Sequence, residues 1–154
     1  MFVITMKKPK RLLLFGVLAG ILAVGLTVGL AVQALAPPPA GPHLPDNAAR
    51  LAFCKERGIL LEEEPLETVE VLIPQTFDAV YAQYQTLQQE QGFDLQPYQG
   101  KAVRRYSYRV TNYPGNSENI RCNLYLYEER LVAGDVCSVE LNGFMHGLYC
   151  PKEE

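Results

Sequence analysis

The segment Ile120-Arg121-Cys122-Asn123-Leu124-Tyr125-Leu126-Tyr127 alternates with a period of two, the pattern of a half-buried strand. Ile120, Cys122, Leu124 and Leu126 take one face; Arg121, Asn123, Tyr125 and Tyr127 take the other. Glu128-Glu129 then makes a tight reversal, and Leu131 to Ser138 returns as a second strand. With Tyr127 opposite Arg130, Cys122 faces Asp135 and Cys137 lies diagonal to Cys122 on the same side. That register leaves a Cys122–Cys137 disulfide open, while a bulge at Gly134 would flip it.

Outward from this hairpin, Ala102 to Asn112 reads as a strand with Tyr106, Tyr108 and Val110 on one face and Arg105, Ser107, Arg109 and Thr111 on the other. Tyr113-Pro114-Gly115-Asn116 is turn chemistry. Upstream, Val69, Val71 and Ile73 alternate with Thr68 and Glu70, and Pro74 ends that strand. Asp46 is placed to cap a helix running to about Arg57, closed by Gly58. A second helix spans Thr76 to Gln91, with Phe77, Val80, Tyr81, Tyr84 and Leu87 as its apolar stripe and Gln83, Gln85, Gln88, Gln89 and Glu90 covering the rest. Asp94 to Lys101 reads as a loop, and the tail from Glu140 to Cys150 as a loop folded back. The order αβαβββ predicts a two-layer α+β domain: a four-stranded, mainly antiparallel sheet whose apolar face is packed by the second helix.

The N-terminus has a different character. Lys7, Lys8, Lys10 and Arg11 precede an apolar run from Leu12 to Ala36 that carries no charge. A helix of that length, rising about 1.5 Å per residue, spans a hydrocarbon layer of about 30 Å. The basic flank holds the N-terminus in the cytoplasm and exports the residues beyond the run. The predicted organisation is a cytoplasmic 1–11, a transmembrane signal anchor 12–36, a proline-rich linker 37–45 and an extracytoplasmic domain 46–154. Gly16/Gly20 and Gly25/Gly29 are spaced for small-residue helix packing, a weak signal because glycine is common in membrane helices, and leave a helix-mediated dimer open. Ala34-Leu35-Ala36 also fits a signal-peptide cleavage site, although the run is longer than a usual signal core. Either way, residues 37–154 are expected at the outer side of a membrane.

Four of the 14 Lys and Arg precede the run, so residues 37–154 hold ten against all 17 Asp and Glu, about −7. That balance argues against nucleic acid as a partner. Cys54, Cys122, Cys137 and Cys150 form no C-x-x-C pair, and no metal-ligand spacing or phosphate loop occurs, so no metal or other cofactor is expected. His43 reads as a solvated linker residue and Glu62-Glu63-Glu64 as a solvated acidic turn.

Several strings occur together: Ile73-Pro74 with Phe77-Asp78-Ala79-Val80-Tyr81; Gln91-Gly92-Phe93-Asp94-Leu95; Tyr98-Gln99-Gly100-Lys101; Asn112-Tyr113-Pro114; Gly134-Asp135-Val136-Cys137-Ser138; and Gly143-Phe144-Met145-His146-Gly147-Leu148. The set resembles domain-of-unknown-function family 4830, single-pass membrane proteins of clostridia-like Gram-positive bacteria, over about Ala48 to Leu148. The resemblance implies an anchored, externally displayed domain and assigns no catalytic residues. Where that family usually has an Asp-Gly type turn, this chain has Glu128-Glu129.

These residues support two function classes. A binding module would use the outer sheet face, where Arg105, Arg109, Arg121, Asn123, Tyr125 and Tyr127 project together to grip a partner protein or an anionic wall polymer. An enzyme of thiol or acyl transfer would need Cys137 as nucleophile, His146 as base and Asp135 or Asn142 to orient the base. The non-enzymatic reading is preferred, because Cys137 lies within a strand pattern that supplies nothing to lower its pKa.

Overall fold

The structure is a computed structural model and describes residues 41–115 and 118–151. The expected span, 12–36, lies outside these residues; among the described ones no helix is long and apolar enough to cross a membrane.

Helix α1 spans Asn47–Glu56 and begins where Asp46 accepts a hydrogen bond from the Ala49 amide at 2.8 Å. Gly58, at φ +76°, ends it in the left-handed turn that glycine tolerates best. Strand β1 is Glu67–Leu72. Helix α2, Ala79–Glu90, is capped by Asp78, whose carboxylate accepts from the Tyr81 amide. A short 3₁₀ turn at Gln96–Tyr98 leads to β2 (Ala102–Arg109), β3 (Ile120–Tyr127), β4 (Arg130–Ser138) and β5 (Met145–His146). The strands form one five-stranded antiparallel sheet in chain order. The α+β class stands. The sheet has one strand more than the four expected: two residues of the tail pair with Val136 and Cys137, and two residues carry no period to reveal a strand.

The two-layer expectation is corrected: the helices cover opposite faces. On the first face, Phe53 and Cys54 of α1 pack with Tyr108, Val110, Ile120, Cys122, Leu124, Leu126 and Val136. Arg50 Nε donates to the Tyr108 hydroxyl at 2.7 Å, and that hydroxyl donates to Asn47, pinning α1 in place. On the second face, Tyr81 and Tyr84 of α2 pack with Val103, Val132, Ala133, Tyr125 and Tyr127. So α2 sits on the side expected to face solvent.

The hairpin register is also corrected. Tyr127 does pair with Arg130, but a bulge enters between Leu131 and Ala133, opposite Tyr125/Leu126, rather than at Gly134. Beyond it Asn123 opposes Asp135, Arg121 opposes Cys137 and Cys122 opposes Val136. Because side chains alternate between faces, Cys122 and Cys137 lie on opposite sides of the sheet. The Cys122–Cys137 disulfide therefore does not form, and all four cysteines are free thiols.

Strand β4 would expose an unpaired edge, and each part of it is covered differently. The Leu131 amide donates to the Pro42 carbonyl and the Leu44 amide to the Glu129 carbonyl, with Leu44 buried. The end of the expected linker thus belongs to the fold. In the middle, Gln88 Oε1 accepts from the Gly134 amide at 2.9 Å, and Gln91 Nε2 donates to the Gly134 carbonyl. Gln91 Oε1 also takes the Leu148 amide. The far end is paired by β5. Two glutamine side chains stand in for a neighbouring strand, which is why Gln88 is buried rather than solvated.

Candidate functional site

The sheet's second face carries polar rows. Glu67, Ser107, Asn123 and Asp135 lie in line across β1 to β4, with Arg109, Arg121 and Cys137 in the next row out. Asp135 is fully buried. Its carboxylate accepts from the Tyr84 hydroxyl and from Asn123 Nδ2, each at 2.8 Å, and Ser107 Oγ donates to Asn123 Oδ1. Burial pushes Asp135 above the ordinary carboxylate range despite those donors. Burial, then the Asp135 charge, pushes Tyr84 well up and Tyr125 up to about 12. The network locks α2 to β3 and β4 and sets the depth of the surface beside it.

The three expected binding arginines share this face, as their alternation requires. Each is already engaged. Arg105 pairs with Glu67 at 2.5 Å and Arg109 with Glu62 at 2.9 Å. Arg109 and Arg121 stand directly opposite each other, a like-charge contact that both relieve by donating to the Glu118 carbonyl. Tyr125 lies edge-on to Tyr84 beneath α2, and Tyr127 packs against Tyr98, with Lys101 Nζ 4.9 Å from its ring. Tyr127 is therefore part of the second core.

The nucleophile constellation is not assembled. Cys137 shares its face with Met145, its cross-strand partner, so the next residue, His146, points to the other side. His146 Nε2 meets the Tyr113 hydroxyl at 2.9 Å and the ring stacks with Tyr149 and Phe144. Burial and then the Asp135 carboxylate raise the Cys137 thiol to about 11, the opposite of an activated nucleophile. Asp135 orients Asn123 and Tyr84. Asn142 is exposed at the tip of the β4–β5 loop.

What the face does offer is a trough between α2 and β5. One depression of about 560 Å³ is lined by Val71, Val80, Tyr81, Tyr84, Leu87, Tyr125 and Met145 among others. A second, of about 460 Å³, continues from Leu87 and Met145 to His146 and Tyr149. Val80 is 75% exposed and Met145 52%, unusual for apolar side chains sharing one wall. Sequence reasoning misses Met145 and the outer edge of the α2 stripe as site residues. Val80, Tyr84 and Leu87 share one apolar stripe in the sequence, but the structure turns the tyrosines to the sheet and leaves Val80 outside.

A five-stranded antiparallel sheet with a helix on each face and an apolar trough beside one of them defines a small α+β domain. The family described as Domain of unknown function (DUF4830) matches residues 58–136, and the chain belongs to it. That match runs from the end of α1 to Val136 of β4; β5 lies beyond it. No curated protein and no solved structure matches the chain.

Proposed function

We propose that the chain is a non-enzymatic interaction module, anchored in a cell membrane through residues 12–36, whose trough docks a segment of a partner protein. The carrying observation is the apolar wall of exposed Val80 and Met145 with half-buried Leu87, beside the Tyr84 and Tyr125 rings. The occupant that fits is an apolar or aromatic stretch flanked by Lys or Arg. The walls supply apolar area, while residues 37–154 carry about −7, with Asp78 and Glu90 at the two ends of α2. An anionic wall polymer fits less well, because the arginines that would hold it are paired with Glu67, Glu62 and the Glu118 carbonyl.

Selection from a phage-displayed random peptide library tests this reading. Enriched peptides should combine an apolar centre with basic flanks and lose about tenfold or more in affinity on Val80→Glu with Leu87→Glu. Enrichment of acidic peptides, or binding that ignores those substitutions, discards the trough. Purified wall polymer serves as the competing arm, and saturable binding to it through Arg105 and Arg121 would favour the polymer instead.

A further inference from the structure

Cys54 on α1 and Cys122 on β3 sit with their sulfurs 3.9 Å apart, both fully buried and 68 residues apart in the chain. We infer that Cys54 and Cys122 are a disulfide-forming pair that cross-links helix α1 to the sheet under oxidising conditions. Three observations carry this. The sulfurs are already in contact, within about 2 Å of the length of an S–S bond. The other two thiols are elsewhere: Cys137 lies on the opposite face beside Asn123, and the Cys150 thiol reaches the Asn112 carbonyl. The pair also ties α1 itself to the sheet: backbone bonds hold the chain on either side of it, at Leu44 and at Glu62, while the helix reaches the sheet through side chains.

The chemistry needs an oxidant of the disulfide class, either a low-molecular-weight disulfide such as oxidised glutathione or the disulfide of a dithiol oxidoreductase. One cysteine thiolate attacks a sulfur of the oxidant and forms a mixed disulfide, expelling one thiolate. The second cysteine thiolate then attacks the protein sulfur of that mixed disulfide, forms the Cys54–Cys122 bond and expels the second thiolate. Each cysteine gives up one electron, the oxidant gains both, and the two cysteine protons pass to solvent and the released thiolates. The hydrogen bond to Cys54 and burial keep Cys122 protonated in the folded domain, so the exchange belongs to folding, before α1 closes over the strand. A loop of this length constrains the unfolded chain strongly.

The full chain, refolded in detergent with oxidised glutathione, decides the matter by thiol titration in denaturant and peptide mapping. The expected result is two thiols lost, a mass about 2 Da lower and a single linked peptide pair containing Cys54 and Cys122. The thermal midpoint should rise by roughly 10–20 °C over the reduced form. The variant with Cys137→Ser and Cys150→Ser should show the same linkage and the same rise, so the result does not hang on Cys54 or Cys122 variants that misfold. Four free thiols, bound glutathione without a cross-link, or a linkage through Cys137 or Cys150 would overturn the inference. The outcome is independent of the trough, since neither cysteine lines it.

Discussion

The Tyr84 hydroxyl donates to Asp135 Oδ2 at 2.8 Å, joining the middle of α2 to a carboxyl that has no contact with water. This bond places the helix on the face that sequence alternation alone would give to solvent. Tyr84→Phe keeps the ring and deletes the donor, so it should cost about 1–3 kcal/mol in urea unfolding. A loss below about 0.5 kcal/mol would mean that the hydroxyl is not needed there.

The same carboxyl gives a pH signature. Burial raises Asp135 above its ordinary 3.8, so the folded state binds its proton more tightly than the unfolded chain does. The stabilisation is fully present below that ordinary value and is lost as pH rises through the folded-state pKa. Comparing wild type with Asp135→Asn by urea unfolding isolates this group. The wild type should gain on the variant as pH falls from 7 toward 4; the opposite slope would contradict a raised pKa.

At the β3–β4 turn, Glu128 and Glu129 have φ of 47° and 64°, both left-handed. A two-residue turn of this kind prefers Asn-Gly. Replacing Glu128→Asn with Glu129→Gly should stabilise the domain by about 1–2 kcal/mol, read as a higher urea midpoint with unchanged slope.

Gln88 is fully buried and holds the Gly134 amide, whereas Gln89 beside it is exposed. Gln88→Met preserves bulk and leaves that amide without its acceptor, for an expected loss of about 1–3 kcal/mol. Gln89→Ala should stay within about 0.5 kcal/mol. Equal effects would show that the helix covers the β4 edge by bulk alone.

Cys137, with its thiol raised to about 11, should react with iodoacetamide at pH 7 about 100-fold or more slowly than an unperturbed cysteine, and faster as pH climbs toward that value. Rapid labelling at neutral pH would revive the nucleophile reading that the geometry otherwise dismantles.

The elements of this fold are legible wherever a local rule has one solution. Asp46 caps the first helix, Gly58 and Gly92 follow the two helices, and the alternation in β2 and β3 separates the two faces; the second helix starts after its cap Asp78 rather than at the expected Thr76. Ambiguity enters at Leu131-Val132-Ala133, three apolar residues that either register can bury, so the bulge leaves no mark and takes Cys137 and Asp135 with it. The buried glutamines are hidden for a related reason: their polarity suits solvent unless a strand edge needs amide partners. The arginines fall on the expected face, but their acidic and carbonyl partners come from Glu62, Glu67 and Glu118, which carry no local pattern that announces the pairing. Met145 enters the candidate site only through tertiary pairing.

Site-specific photo-cross-linking decides whether the trough between α2 and β5 is an occupied docking surface. A photoreactive residue is placed at Leu87, at Met145 or, on α1 across the sheet, at Lys55, each in the full chain expressed in intact cells. Discrete, protease-sensitive adducts are expected from positions 87 and 145, weakening with salt and vanishing with Val80→Glu, and none from position 55. Protease-resistant adducts, equal labelling from position 55, or no adduct from the trough would contradict it.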